Sequence, residues 1–159
     1  MTFKQTQPFL KWVGGKRQIL SLLLSNLPAS YNSYYEPFLG GGALFFSLNH
    51  NKNNKTYIND LNQGLINCYQ VVKDQVDSLK IRLQDHENSK DYYAKIRSWD
   101  RPPNSLDNYD PEELASRFYY LNATCFNAVY RVNKKGEFNV PMGRRSSSVD
   151  WNNIPGLQE

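Results

Sequence analysis

Tyr34-Tyr35-Glu36-Pro37-Phe38-Leu39-Gly40-Gly41-Gly42 decides how the rest of the chain is read. Its opening aromatics favour a pleated, half-buried backbone, so a short buried strand is expected over residues 34–38. Pro37 sits near the strand's end, where a lost N–H donor is tolerated. Three glycines then break the strand. Glycine lets the backbone approach a ligand closely, and a helix starting just beyond offers free N–H groups. Ala43 to Leu48 reads as a helical turn packing Leu44, Phe45 and Leu48. After a polar Asn/Lys loop, Thr56-Tyr57-Ile58 reads as a second strand that ends at Asn59-Asp60. Asp60 lies 18 residues past Gly42. In nucleotide-binding α/β folds an acid about 20 residues beyond the glycines accepts from ribose hydroxyls. A plain glycine turn followed by a helix-capping aspartate fits the same spacing, and spacing alone leaves both readings open.

Upstream, residues 1–10 are polar and read as extended. Gly14-Gly15 marks a turn, after which Ile19, Leu20, Leu23 and Leu27 recur at helical spacing until Pro28. Phe9-Leu10-Lys11-Trp12-Val13-Gly14-Gly15-Lys16 places a lysine just after two glycines at a helix start, where it can reach a carboxylate or phosphate. Trp12 offers a flat face; an anchored N-terminal arm with a core tryptophan fits equally well. Downstream, helical periodicity runs from 61 to 99 through Leu61, Leu65, Ile66, Tyr69 and Val72, then Val76, Leu79 and Leu83, then Tyr92, Tyr93 and Ile96. Arg101-Pro102-Pro103-Asn104 opens a loop to Asp110, which caps a helix with Pro111 at its first position. That helix is expected to bury Leu114, Phe118 and Leu121. Residues 122–145 are rich in Asn, Gly and Arg and read as a loop with a hairpin turning at Lys135-Gly136.

Composition narrows the class. The chain has 159 residues, 40% hydrophobic and 21% charged, which suits a globular fold, and 11 tyrosines argue against extensive disorder. The net charge of +4 is concentrated in two islands. One holds Lys4, Lys11, Lys16 and Arg17 without an acid; the other holds Arg131, Lys134, Lys135, Arg144 and Arg145 against Glu137. Basic islands on a near-neutral body fit local phosphate contact, and a solvated surface fits them too. Cys68 and Cys125 lie far apart and outside any CxxC pair, which suits free thiols in a reducing cytosol and gives a metal site no support. The apolar run after Lys16-Arg17 is broken by Ser21, Ser25 and Asn26, so it is not a secretory signal, and no stretch is long enough to span a membrane.

The glycine segment resembles the EPF-x-GGG motif of Dam-type DNA adenine methyltransferases, and Ile58-Asn59-Asp60 resembles the IND that follows it. Residues 11–16 are similar to the KW-x-GGK motif that opens the same family. Asn127-Ala128-Val129-Tyr130-Arg131-Val132-Asn133 and Gly136-Glu137-Phe138-Asn139-Val140-Pro141-Met142-Gly143-Arg144 resemble its target-recognition loop. The segments occur in family order across residues 8–145. The resemblance implies an α/β fold: an incomplete Rossmann-like domain that binds S-adenosylmethionine (SAM), with a helical target-recognition domain. It divides the chain at 1–65 for the first, 66–145 for the second, and 146–159 for a return toward the catalytic domain. It further implies that Trp12 meets the nucleoside part of SAM, Lys16 the methionine carboxylate and Asp60 the ribose, with Phe38 and Gly40 lining the pocket. On the DNA side it implies that Arg131 reads a guanine, Phe126 wedges into the base stack, Val129 makes an apolar base contact and Arg144 holds a phosphate. Asn127 belongs to the same DNA-contacting set.

The family's catalytic DPPY does not occur in the chain. The one Pro-Pro, in Asp100-Arg101-Pro102-Pro103-Asn104, has an inserted arginine, lacks the aromatic and lies upstream of the recognition segment. Transfer to an adenine amine needs a flipped base stacked on an aromatic, with acceptors on its amino group. No residue is therefore assigned as catalytic, and the expectation is a truncated, inactive fragment of a cytoplasmic methyltransferase acting on duplex DNA at a GATC-like site. A separate polypeptide carrying the missing half is a further expected partner. A sheet of two or three strands is expected to leave Phe38, Phe45, Phe46 and Ile58 uncovered. A non-catalytic DNA-binding module, and a SAM- or nucleotide-binding enzyme without a nucleic-acid partner, are the competing classes.

Overall fold

The structure, a computed structural model, describes residues 7–48 and 54–144. The extended start at 1–6, the Asn-rich residues 49–53, Arg145 and the expected return toward a catalytic domain lie outside the described residues.

Two strands, β1 (Ser33–Glu36) and β2 (Lys55–Ile58), pair in parallel with Tyr34 opposite Thr56 and Glu36 opposite Ile58. A parallel pair needs a crossover, which the glycine segment begins. Alternation turns Tyr34 and Glu36 inward, while Tyr35 and Tyr57 stack on the outer face at 4.7 Å between ring centroids. The expected strand over 34–38 is shorter than the sequence suggests. Pro37 removes a ladder donor, the chain turns, and Phe38 is left 76% exposed. Phe45, Phe46 and Ile58, expected to be uncovered as well, are partly buried against the core.

Helix α1 (Leu20–Ser25) follows a 3-10 turn at Lys16–Ile19, and Ile19 and Leu22 remain exposed on its outer side. The helical block contains α2 (Gln63–Asp74), α3 (Val76–Gln84), α4 (Lys90–Arg97) and α5 (Pro111–Thr124). Asn62 caps α2 through its side chain, which leaves Leu61 outside the helix and exposed rather than on its buried stripe. Asp110 and Glu113 form a reciprocal capping box at α5, with Pro111 in the first turn. Phe118 and Leu121 are buried as expected, but Leu114 is only half-buried; Ala115 and Tyr120 fill the deep positions. The helix also runs on through Asn122–Thr124, where a loop was expected. Thr124 is buried, and its hydroxyl donates to the Tyr120 carbonyl one turn back at 2.6 Å, which removes its polar cost.

α5 packs against α2, α3 and α4 and is the hub of the core. Leu65, Cys68, Leu79, Leu83 and Ile96 meet it from the other helices, and Phe9, Leu10 and Leu39 reach it from the strand side. Phe138 and Val140 complete the same core from the segment beyond α5. Burial pushes the Cys68 thiol far up and, outweighing backbone hydrogen bonds and the Lys11 charge that pull the other way, raises that of Cys125 to about 11, so both are inert packing groups. Among the described residues, no helix is long and apolar enough to cross a membrane.

Candidate functional site

The glycine turn is bracketed by Asp60. Beyond β1 and β2 the two chains stay linked, Asn59 N–H donating to Glu36 O and Leu39 N–H to Asn59 O, both at 2.9 Å. One Asp60 oxygen accepts from Gly40 N–H at 2.9 Å and the other from Asn62 N–H at 3.0 Å. Each carboxylate oxygen keeps further lone-pair capacity. Asp60 therefore ties the turn after β1 to the turn after β2 without exhausting its acceptors.

Gly40 and Gly42 hold φ values of +55° and +72°, where a Cβ is strained. Space forbids it as well. A Cβ on Gly40 would lie 3.0 Å from the Trp12 ring, and one on Gly42 2.7 Å from the Tyr69 hydroxyl. The glycines thus serve close packing of protein on protein, a requirement that the motif reading did not contain.

Trp12 and Lys16 approach this turn from the N-terminal arm. Lys16 Nζ lies 3.0 Å from Glu36 Oε1 and also donates to the Phe38 carbonyl. Glu36 is 4% exposed, and its second oxygen accepts from the Tyr34 hydroxyl at 2.6 Å. Burial, with that hydrogen bond and charge, drives the Tyr34 phenol well above its ordinary range. Sequence reasoning gave Glu36 no role. Its signal was an acid on the inward face of a strand beside a lone basic arm. Asn122 on α5, also unassigned, fixes the arm: its Oδ1 accepts from Lys11 N–H at 3.0 Å and its Nδ2 donates to Lys11 O at 2.8 Å. An open cleft of about 1000 Å³ runs between the arm and α5, with Lys11, Trp12, Lys16, Gly41 and Asn122 among its walls. Trp12 and Lys16 line it; Phe38, Gly40 and Asp60 lie outside its lining.

The segment after α5 folds back on itself. Phe126 N–H donates to Pro141 O at 2.9 Å and Gly143 N–H to Thr124 O at 2.8 Å, flanking an antiparallel bridge between Cys125 and Met142. Between these ends, Asn127 and Ala128 both adopt positive φ, at 53° and 51°. Consecutive left-handed non-glycine residues are costly and persist only where surrounding structure fixes them. Here the conformation buries Ala128 and leaves Phe126 and Asn127 exposed. Val129 is half-buried against the core, its carbonyl accepting from Cys125 Sγ at 3.5 Å.

A hairpin then pairs Val132 with Phe138. Its turn, expected at Lys135-Gly136, is closed by Gly136 N–H on Asn133 O at 3.0 Å, with Gly136 at φ +82°. Phe138 and Val140 anchor it in the core. A buried ion pair pins the anchor. Asp100 Oδ2 accepts from Arg117 Nη2 and from Phe138 N–H, both at 2.7 Å, while Arg101 donates to the Phe138 carbonyl. The Tyr93 hydroxyl holds Val140 O at 2.9 Å. On the outside, Arg131 and Arg144 are exposed. Trp12 joins the two regions, its ring packing on Gly40, its Cβ lying over Gly41, and its ring stacking with Tyr130 at 5.7 Å.

A family model described as D12 class N6 adenine-specific DNA methyltransferase matches residues 12–158. The chain belongs to this family. It is 48% identical over 157 residues to the type II methyltransferase M1.LlaDCHI of Lactococcus lactis subsp. cremoris, covering 96% of this chain and 54% of that protein. It is 44% identical over 155 residues to the type II methyltransferase M.MjaIII of Methanocaldococcus jannaschii, covering 88% of this chain and 53% of the relative. Identity to the DNA adenine methylase of Haemophilus influenzae is 39% over 144 residues, covering 86% and 47%. The chain spans about half the length of these curated relatives. The resemblance drawn from the short motifs thus holds at the level of the adenine methyltransferase family.

Proposed function

We propose that this chain forms the cofactor-binding and DNA-reading part of an enzyme that methylates the amino group of adenine in duplex DNA, using SAM, at a GATC-like site. The observation that carries this reading is the junction at Trp12. One indole packs on the strand–glycine turn held by Asp60 and stacks on Tyr130, at the root of an exposed, arginine-bearing hairpin. A nucleotide-type turn and a DNA-type loop therefore share a wall. Residues 66–145 act as the recognition domain against the strand region at 1–65. Two relatives are named type II methyltransferases, which favours a restriction–modification role in the cytoplasm.

The donor set suits SAM. Lys16, steadied by the buried Glu36, offers a cation to the methionine carboxylate, and Asp60 offers unused lone pairs to the ribose hydroxyls. Gly40, with no Cβ, leaves the turn open to close approach, and Phe38 and Trp12 add apolar surface. When bound, the cofactor supplies an electrophilic methyl group. The chain's own residues do the positioning. Phe126 and Asn127, exposed at the end of α5, enter the gap left by the flipped adenine; Arg131 pairs with a guanine in the major groove; Val129 supplies apolar surface to the loop; and Arg144 meets a phosphate. Holding the adenine amine in near-attack geometry requires acceptor groups of the DPPY type, which these 159 residues do not contain. They come from polypeptide beyond these residues, in the same chain or a separate one.

The test is a tritiated-methyl transfer assay on a GATC duplex, run with the 159 residues alone and with a polypeptide carrying a DPPY motif. No transfer alone and transfer to adenine with the second polypeptide is the expected result. Site-specific DNA binding with no transfer in any combination would favour a non-catalytic binding module, the reading that the missing DPPY supports.

A further inference from the structure

We infer that Asn139 is a specificity-determining positioning residue: its amide oxygen holds the Arg131 guanidinium in the orientation that reads a base. The inference rests on the assignment of Arg131 to guanine above.

Side chains alternate across a paired strand. Phe138 pairs with Val132 and turns into the core, so Arg131 and Asn139, which flank that pair on the two strands, share the opposite face with Asn133 and Glu137. Asn139 grips Arg131 twice. Its N–H donates to Arg131 O at 3.1 Å, and its Oδ1 accepts from Arg131 Nε at 2.8 Å. Arginine only donates, so the amide must present oxygen rather than nitrogen to it. An exposed arginine otherwise samples many rotamers and loses that freedom on docking. With Nε engaged, the paired Nη1 and Nη2 donors form the free end of the fork, the geometry that meets guanine O6 and N7.

The partner's neutrality matters as much as its position. A carboxylate would orient the guanidinium but offset the charge that draws it to DNA. The acid on this face, Glu137, is taken up elsewhere: Asn133 Nδ2 donates to it at 2.7 Å and Arg101 Nε lies 3.8 Å away. Arg131 is thus left with an uncharged anchor.

The experiment measures duplex binding by fluorescence anisotropy, using a GATC duplex and duplexes whose G·C pairs are replaced by each alternative. Asn139→Ala is expected to lower the ratio of GATC to variant affinity about ten-fold, part of what a bidentate pair contributes. Asn139→Asp, which keeps the acceptor, is expected to retain the ratio while weakening every duplex. Equal weakening of all duplexes by Asn139→Ala would make Asn139 a backbone contact and overturn the inference. Arg131→Ala separates the two layers. If it leaves the ratio intact, the assignment of Arg131 itself fails; if it abolishes the ratio while Asn139→Ala does not move it, only the positioning role fails. Exchange of the Arg131 Nε–H in the free protein gives an independent readout. It is expected to quicken in Asn139→Ala and slow again in Asn139→Asp, and an unchanged rate would also overturn the inference.

Discussion

Removing the Asp100 carboxylate tests how the hairpin is held. The Asp100 and Arg117 side chains are 7% and 8% exposed, and one carboxylate oxygen serves both the guanidinium and the Phe138 N–H. Asp100→Ala leaves a buried cation facing no anion, because the other partners of Arg117 are the carbonyls of Ile96 and Arg97. Breaking a buried pair by deleting one partner costs about 3–5 kcal/mol, and the orphaned Phe138 amide falls within that range rather than adding to it. A loss of that size is a large share of the roughly 5–15 kcal/mol that stabilises an ordinary domain. Urea titration should show the midpoint falling with little change in slope, since the surface exposed on unfolding is nearly the same. Hydrogen exchange at Phe138 should rise by at least the same free energy. The double variant Asp100→Ala with Arg117→Met should recover part of the loss, because an apolar side chain leaves no buried charge behind. A single-variant cost below about 1 kcal/mol, the scale of an exposed pair, would refute the reasoning. So would a double variant whose cost equals the sum of the two singles, which would mean that the residues act independently.

His86 gives a pH dependence: burial lowers it from 6.5 to about 4, with its ring nitrogens 3.0 Å from the Tyr92 hydroxyl and 2.8 Å from Ser116 Oγ. The unfolded chain therefore binds more protons than the folded one between those values, so stability is full above pH 6.5 and falls by up to about 3 kcal/mol toward pH 4; urea midpoints of His86→Gln showing the same fall would remove His86 as the cause. Gly42→Ala, strained at φ +72° with Tyr69 and Phe46 in its way, should cost about 2 kcal/mol or more, whereas Gly136→Ala, open to solvent at φ +82°, should cost about 1. Equal losses in thermal melts would mean that the close packing at Gly42 relaxes freely. Asp60→Ala should weaken SAM binding by about 1–3 kcal/mol and loosen the turn even without ligand, since two backbone amides lose their acceptor. Calorimetry finding lower stability but unchanged affinity would leave Asp60 as a brace only.

The parts legible in the sequence are those whose cause is local. The glycine turn, the strand that runs up to Asn59-Asp60, the Asp110 cap with Pro111 in the first turn and the turn at Gly136 all follow from residues within a few positions of one another. What the sequence concealed is held across distance. Asp100 and Arg117 are 17 residues apart, Asp100 and Phe138 are 38, and Lys11 and Asn122 are 111. No periodicity links such pairs. Composition also misled at Asn122–Thr124, where polar residues suggested a loop. Asn122 is helical because its amide, facing the N-terminal arm, satisfies a backbone that would otherwise lack partners, so a residue poor in helix propensity is kept by tertiary contact.

α5 explains why the arm carrying Trp12 and Lys16 and the hairpin that begins at Arg131 sit together despite lying more than 100 positions apart. Asn122 fixes the arm that carries Trp12 and Lys16, while Arg117, five positions earlier, fixes the hairpin through Asp100. Both attachments leave one rigid helix whose start is set by its capping box and whose body is almost entirely buried. Neither attachment moves without the other unless α5 itself bends or Trp12 parts from Tyr130. The Asp60 bracket reaches the same helix through Trp12, whose ring packs on Gly40 and stacks on Phe118 at 6.2 Å. Geometry at the turn is thereby coupled to geometry at the loop through packed rings, and a volume change at Phe118 would be felt in both.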